Sequence, residues 1–201
     1  PFTGNAYLSP GLVLPYATST GCYWGRCSFC PEKAEGSSFV ALDPSTVIEQ
    51  VETLHESLHP CLVHFTDNAM SPSLLRSLAH RGLGVPWYGF ARVTPELADP
   101  DFCRSLRSSG CVMLQLGIES GDQDVLDELH KGIRLEDASV VLTSLHEAGI
   151  GTYVYLLFGT PAENEASARR TLAFTEAHAP LIDFLNLAVF TMPRFSEEAA
   201  S

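Results

Sequence analysis

Short apolar runs alternate with helical patterns from Gly11 almost to the end of the chain, and this alternation restricts the fold more than any other feature. The strand candidates are GLVLPYAT (Gly11–Thr18), CLVHFT (Cys61–Thr66), PWYGFAR (Pro86–Arg92), CVMLQLG (Cys111–Gly117), TYVYLLF (Thr152–Phe158) and IDFLNLAVF (Ile182–Phe190). Helical spacing recurs between them. Asp43 precedes Pro44 and an apolar series of Val47, Ile48, Val51, Leu54 and Leu58. Ser71 and Pro72 open a helix with Leu74, Leu75 and Leu78 inside, and another runs from about Asp99 through Phe102, Cys103 and Leu106. Val125, Leu126 and Leu129 mark a short helix, Ala138, Val141, Leu142 and Leu145 a longer one, and the last spans about Glu163–His178. Strands joined by helices form a parallel sheet with right-handed crossovers and active loops at its carboxyl edge. The residues of chemical interest follow nearly every strand instead of gathering at one switch point. An α/β fold is expected, a partial (β/α)6 TIM-like barrel with parallel strands.

The 201 residues suit one globular domain, with 45% hydrophobic and 18% charged residues. No apolar run approaches the roughly 18–20 residues of a membrane span, and no leader is apparent. The opening PFTGNAY and the polar FSEEAAS end suggest a core over 11–190. Residues 1–10 then read as a linker from an upstream region and 191–201 as a tail toward a downstream one. Twelve Lys and Arg face 24 Asp and Glu, a net charge of −12 that weighs against nucleic acid as the main partner. Cys61, Cys103 and Cys111 lie in apolar segments and read as buried thiols without chemistry. The cysteine usage is that of a cytoplasmic protein, not of a secreted disulfide framework.

The other three cysteines crowd into GCYWGRCSFC, on the loop after the first strand. Thiolates Cys22, Cys27 and Cys30 can bind one soft metal centre. A cubane has four irons, so three cysteines leave one iron open for another ligand. Structural zinc needs four ligands in a closed site. His55, His59 or His64 could supply a fourth, although their spacing reads better as surface and strand-end histidines. The triplet alone leaves cluster and zinc comparable; its place after the first strand favours the cluster.

GCYWGRCSFC resembles the cluster loop of radical S-adenosylmethionine (SAM) enzymes, with Phe29 just before the third cysteine. The family's usual spacing is C-x3-C-x2-C; here it is C-x4-C-x2-C, with the extra residue placed at Gly25. The Cys-Tyr-Trp-Gly-basic-Cys form resembles the subgroup found behind cobalamin-binding domains. The resemblance implies a [4Fe–4S] cluster on Cys22, Cys27 and Cys30, with Phe29 beside it. It implies SAM contacts from Thr66, Asp67 and Asn68 in FTDNAM, from Arg92 in FARVTPE, and from Glu119 and Ser120 in LGIESGDQDVLDELHKG. Leu157 would form an apolar wall beside adenine. Plainer roles stand beside these: Asp67 or Asn68 shaping a turn, Arg92 pairing with Glu119, Ser120 capping a helix. FGTPAENEA matches the family's Gly-x-Pro-Gly-Glu turn except at Ala162, which would be strained if that position required positive φ. Glu163 reads better as the start of a helix.

The activity so implied is reductive cleavage of SAM to start radical chemistry on a small-molecule or peptide substrate. An electron donor such as flavodoxin or ferredoxin would be needed. The resemblance further implies cobalamin, carried by a domain before Pro1, and methyl transfer as the reaction; no Asp-x-His-x-x-Gly stretch lies within these residues. The competing reading is a zinc-stabilised, non-catalytic binding or scaffold domain.

Overall fold

The computed structural model describes residues 9–191, so most of the expected linker and tail lies outside the described residues. In chain order the first elements are β1 (Val13–Tyr16), β2 (Ser19–Thr20), α1 (Pro31–Ala34), β3 (Val40–Ala41), α2 (Pro44–Leu58), β4 (Leu62–Phe65), α3 (Pro72–Arg81) and β5 (Trp87–Ala91). They are followed by α4 (Pro100–Ser108), β6 (Cys111–Glu119), α5 (Gln123–Glu128), α6 (Leu135–Glu147), β7 (Gly151–Phe158), α7 (Glu165–His178) and β8 (Phe184–Val189). Six strands form one parallel sheet in the order β1-β4-β5-β6-β7-β8. Every step moves to the adjacent strand, and the two outer strands do not pair with each other. The sheet is an open, partial barrel.

Local chemistry explains the helix starts. Asp43 caps α2, accepting from the backbone N–H groups of Ser45 and Thr46 ahead of Pro44. Ser71 caps α3 through Leu74 N–H, and Asp99 caps α4 through Asp101 N–H. α7 begins at Glu165, two residues later than the pattern suggests, because Asn164 and Ser167 form a reciprocal capping box.

Each strand sends alternate side chains to opposite faces. Val63, Phe65, Trp87, Leu114, Leu116, Val154 and Leu156 pack under the helices and are buried. Trp87 is wholly buried, and its indole N–H donates to the Ser109 carbonyl at 3.2 Å. The other face is aromatic. His64 stacks on Tyr88 at 4.3 Å, Phe90 meets Tyr155 at 4.8 Å, and Tyr153 meets Tyr155 and Phe184.

Several expectations change. A small antiparallel hairpin, β2 with β3, stands over the carboxyl edge, and α1 follows the cysteine loop. Elements of two to four residues carry no periodic signal, so the sequence hides them. Cys61 is exposed, not buried, because it lies just before β4 beside the edge strand β1. Cys103 and Cys111 are buried as expected, and burial pushes the Cys103 thiol up to about 11. Ala162 is not among the residues with positive φ, so the substitution there carries no strain of that kind. No helix among the described residues is long and apolar enough to cross a membrane.

Candidate active site at the carboxyl edge

The cysteine loop runs from the hairpin strand β2 to α1 at the carboxyl edge. Gly21 and Gly25 adopt left-handed φ of 69° and 57°, so the extra residue of the C-x4-C spacing is accommodated by a turn that favours glycine. Cys27 is buried, Cys22 and Cys30 are half-buried, and all three are free thiols. Burial pushes the Cys27 thiol up, while Lys131 and Arg92 pull in the other direction, Arg92 also through a hydrogen bond. Burial likewise raises Cys30, opposed by backbone N–H groups of Glu32 and Lys33 in α1. Cations and amides aimed at sulfur stabilise thiolates, as an anionic iron–sulfur centre requires.

Among the described residues, no three His, Cys, Asp or Glu side chains converge on a single metal ion. Structural zinc demands such convergence, whereas a cubane takes each thiolate on a different iron. His55 and His59 sit at the far end of α2, which runs back to the amino edge, and His64 is stacked on Tyr88. None of the three histidines offered as a fourth ligand is brought to the cysteine loop, and the zinc reading gains no support.

Glu119 ends β6 at an irregularity in its pairing with β7, with a left-handed φ of 70°. Such a conformation costs a residue other than glycine about 1–3 kcal/mol. Its carboxylate accepts from Lys131 Nζ at 2.8 Å, and the two side chains are 14% and 8% exposed. A Cβ on Gly117 would stand 2.5 Å from the Glu119 carboxylate and 2.9 Å from Lys131 Nζ, so a side chain there would push this pair from its place. Arg92 does not pair with Glu119. It is buried, donates to the Lys131 carbonyl and lies over the Trp24 ring at 4.4 Å. Trp24 and Lys131 thus join the site, beyond the residues that the motifs single out. No local signal in the sequence marks them, because the left-handed φ of His130 that helps set the direction of Lys131 is a property of the fold.

The remaining candidates divide. Thr66, Asp67 and Asn68 line a cavity of about 230 Å³ together with His64 and Phe90. Asp67, however, already accepts from Thr18 N–H, from Thr18 Oγ1 at 2.8 Å and from Ser19 Oγ at 2.5 Å. Asn68 donates to the Gly21 carbonyl at 3.3 Å, at the threshold of the cysteine loop. Ser120 is fully buried, with its hydroxyl 3.1 Å from that of Thr171 on α7. Leu157 is half-buried near the end of β7, on the face that carries Tyr153 and Tyr155. The Phe29 ring, next to Cys30 in the chain, lies with its centre 5.7 Å from Lys131 Nζ. Glu163 stands before α7 and accepts from Gly159 N–H at 2.5 Å.

An open parallel α/β sheet with a three-cysteine loop and a carboxylate–lysine pair at its carboxyl edge defines an iron–sulfur type of enzyme core. The chain belongs to the radical SAM superfamily, whose family model matches residues 16–175. It is 30% identical over 173 residues to bacteriochlorophyllide d C-12(1)-methyltransferase of Chlorobaculum tepidum, covering 81% of this chain and 37% of that protein. It is 26% identical to the anaerobic magnesium-protoporphyrin IX monomethyl ester cyclase of Rubrivivax gelatinosus, covering 88% of this chain and 32% of that one. The fold matches the radical SAM methyltransferase TsrM of Kitasatospora setae with a TM-score of 0.72 at 23% identity, covering 89% of this chain and 37% of that one. One TsrM structure contains cobalamin and a [4Fe–4S] cluster, and another contains tryptophan and a SAM analogue. The chain spans about a third of the length of these relatives.

Proposed function

We propose that this chain is the SAM-cleaving core of a radical enzyme, with Cys22, Cys27 and Cys30 holding a [4Fe–4S] cluster. The observation that carries the reading is one loop bearing three free thiols, with Arg92 and Lys131 acting on the most buried of them. When bound, such a cluster would supply one electron to the sulfonium of SAM, and cleavage of the carbon–sulfur bond would release methionine and a 5′-deoxyadenosyl radical. The chain's own residues position and shield. Glu119, oriented by Lys131, presents a carboxylate that accepts hydrogen bonds from hydroxyl or ammonium groups of SAM. Thr66, Asn68 and backbone carbonyls of the small cavity take polar atoms of the same ligand, and Leu157 offers it an apolar wall. Ser120, fully buried against α7, contributes through the placement of its backbone.

Methyl transfer to a flat conjugated substrate, with cobalamin carried by another part of the protein, is the finer reading. Its support is the similarity to two methyltransferases and a tetrapyrrole cyclase, together with the inner face of Tyr88, Phe90, Tyr153, Tyr155 and Phe184. Half-exposed aromatic rings are surfaces on which planar molecules stack. A one-electron donor protein of the flavodoxin or ferredoxin kind completes the scheme.

Anaerobic reconstitution tests the core claim. The expected product is a brown protein containing iron and sulfide that forms 5′-deoxyadenosine from SAM under reduction. A colourless protein without that activity would overturn the reading. If the intact protein takes up no cobalamin, or moves no labelled methyl group from SAM to product, the methyl-transfer part falls and the core remains.

A further inference from the structure

We infer that the four residues Leu129–Gly132 form a positioning segment that ties the seat of the iron–sulfur cluster to the Glu119 carboxylate. The inference rests on the cluster reading above but concerns residues that are neither cysteines nor SAM contacts.

Three consecutive carbonyls of this segment each accept a hydrogen bond from the cluster side. Leu129 accepts from Ser28 N–H at 3.1 Å, His130 from the Trp24 indole N–H at 3.0 Å, and Lys131 from the Arg92 guanidinium. They follow directly on the short helix α5, whose last turn the segment closes through its own N–H groups, His130 to the Asp127 carbonyl and Lys131 to that of Leu126. The cysteine loop is therefore held by the backbone of a helix end. The fourth residue supplies a fit of shape. A Cβ on Gly132 would stand 2.0 Å from the Trp24 ring, so the indole lies flush against bare backbone. His130 and Gly132 both adopt left-handed φ, 51° and 68°, and these two turns direct the intervening Lys131 side chain inward.

That side chain makes the other half of the tie. Its ammonium bonds Glu119 at 2.8 Å and lies 5.7 Å from the Phe29 ring, the residue before Cys30. Arg92, the residue after β5, reinforces the arrangement, stacking on Trp24 while it engages Cys27. A displacement of the segment would move Trp24, Ser28 and Glu119 together. The spacing between the cluster loop and Glu119 is thus set by four residues, and changing the Glu119 end should be felt at the cysteines even when SAM is absent.

The test measures loss of iron to a chelator from the reconstituted protein without SAM. Trp24→Ala and Lys131→Met should each release iron about 10-fold faster than wild type, the scale typical of groups that orient metal ligands. The double variant should be no faster than the quicker single variant, because both act on one segment. Lys131→Arg keeps a cation for Glu119 and should restore most of the wild-type rate; Trp24→Phe keeps the ring but not the indole donor and should fall between. Melting of the iron-free proteins accompanies each assay, and unequal iron loss at equal melting temperature separates positioning from general destabilisation. Iron release at the wild-type rate in Lys131→Met, or additive effects in the double variant, would overturn the coupling. Failure of wild type to take up iron would instead overturn the cluster reading itself, so the two failures are distinguishable. A change in the electron paramagnetic resonance spectrum of the reduced cluster in Lys131→Met, at matched iron content, is the confirming signature.

Discussion

Cys27 is the buried member of the triplet and the one acted on by both Arg92 and Lys131. Each of Cys22, Cys27 and Cys30 should be indispensable, since Cys61, Cys103 and Cys111 lie in other parts of the fold. Replacing any one of the three by Ala should abolish SAM cleavage and sharply lower iron per chain, whereas Cys61→Ala should leave both unchanged; colorimetric iron assay and product analysis decide it. Glu119 carries a different burden. Glu119→Gln keeps an oxygen that can accept from Lys131 but removes the charge, and should weaken SAM binding about 10-fold, equal to about 1.4 kcal/mol. Calorimetric titration with SAM checks this, and unchanged affinity would return Glu119 to a purely structural role. The cysteines stand out in the sequence because three thiols within nine residues are uncommon, whereas Glu119 was suggested by the motif around it. Trp24 and Lys131 were not legible as site residues, since a tryptophan and a lysine gain their roles only from what they touch.

At the scale of elements, the carboxyl edge depends on links that periodicity does not encode. Asp67, just after β4, gathers the backbone and hydroxyl of Thr18 and the hydroxyl of Ser19, and so holds the start of β2 down on the sheet. Asp67→Ala would leave buried donors unpaired at a cost of about 1–3 kcal/mol. A lowered thermal midpoint is expected for the iron-free protein. An unchanged midpoint with weakened SAM binding would show that the carboxylate serves the ligand and not the hairpin. On the other side of the site, α7 clamps the turn after β6. Arg170 pairs with the α5 cap Asp122, and Thr171 accepts from Gly121 N–H at 3.0 Å. The helices and main strands followed from capping residues and apolar spacing, both local properties. The hairpin, α1 and the end of β6 did not, because each exists through contacts with segments distant in sequence.

Across the whole molecule, the sheet is unevenly covered. β8, the outer strand of the sheet among the described residues, exposes Phe184, Leu185, Leu187 and Val189 at 57%, 41%, 63% and 79%. An apolar edge strand with a free row of backbone groups is a template for association. The isolated 201-residue chain should therefore self-associate as its concentration rises, and Leu187→Lys should suppress this with little change in melting temperature. Sedimentation at several concentrations reads the outcome, and a wild-type chain that stays monomeric throughout would refute the expectation.

The alternation of strands and helices, the parallel sheet and the three-cysteine loop were determined by the sequence alone. Apolar spacing, helix caps and thiol chemistry act over a few residues and need no knowledge of what lies across the fold. Tertiary structure alone decided how the candidate site is held. It paired Glu119 with Lys131 and not with Arg92, turned Asp67 and Ser120 toward internal partners, and set Trp24 against Gly132. Those outcomes depend on which groups meet across separations such as the 106 positions between Trp24 and His130. Burial and hydrogen bonding at that range belong to the folded chain, where a buried charge or donor settles on whichever partner the packing leaves within reach.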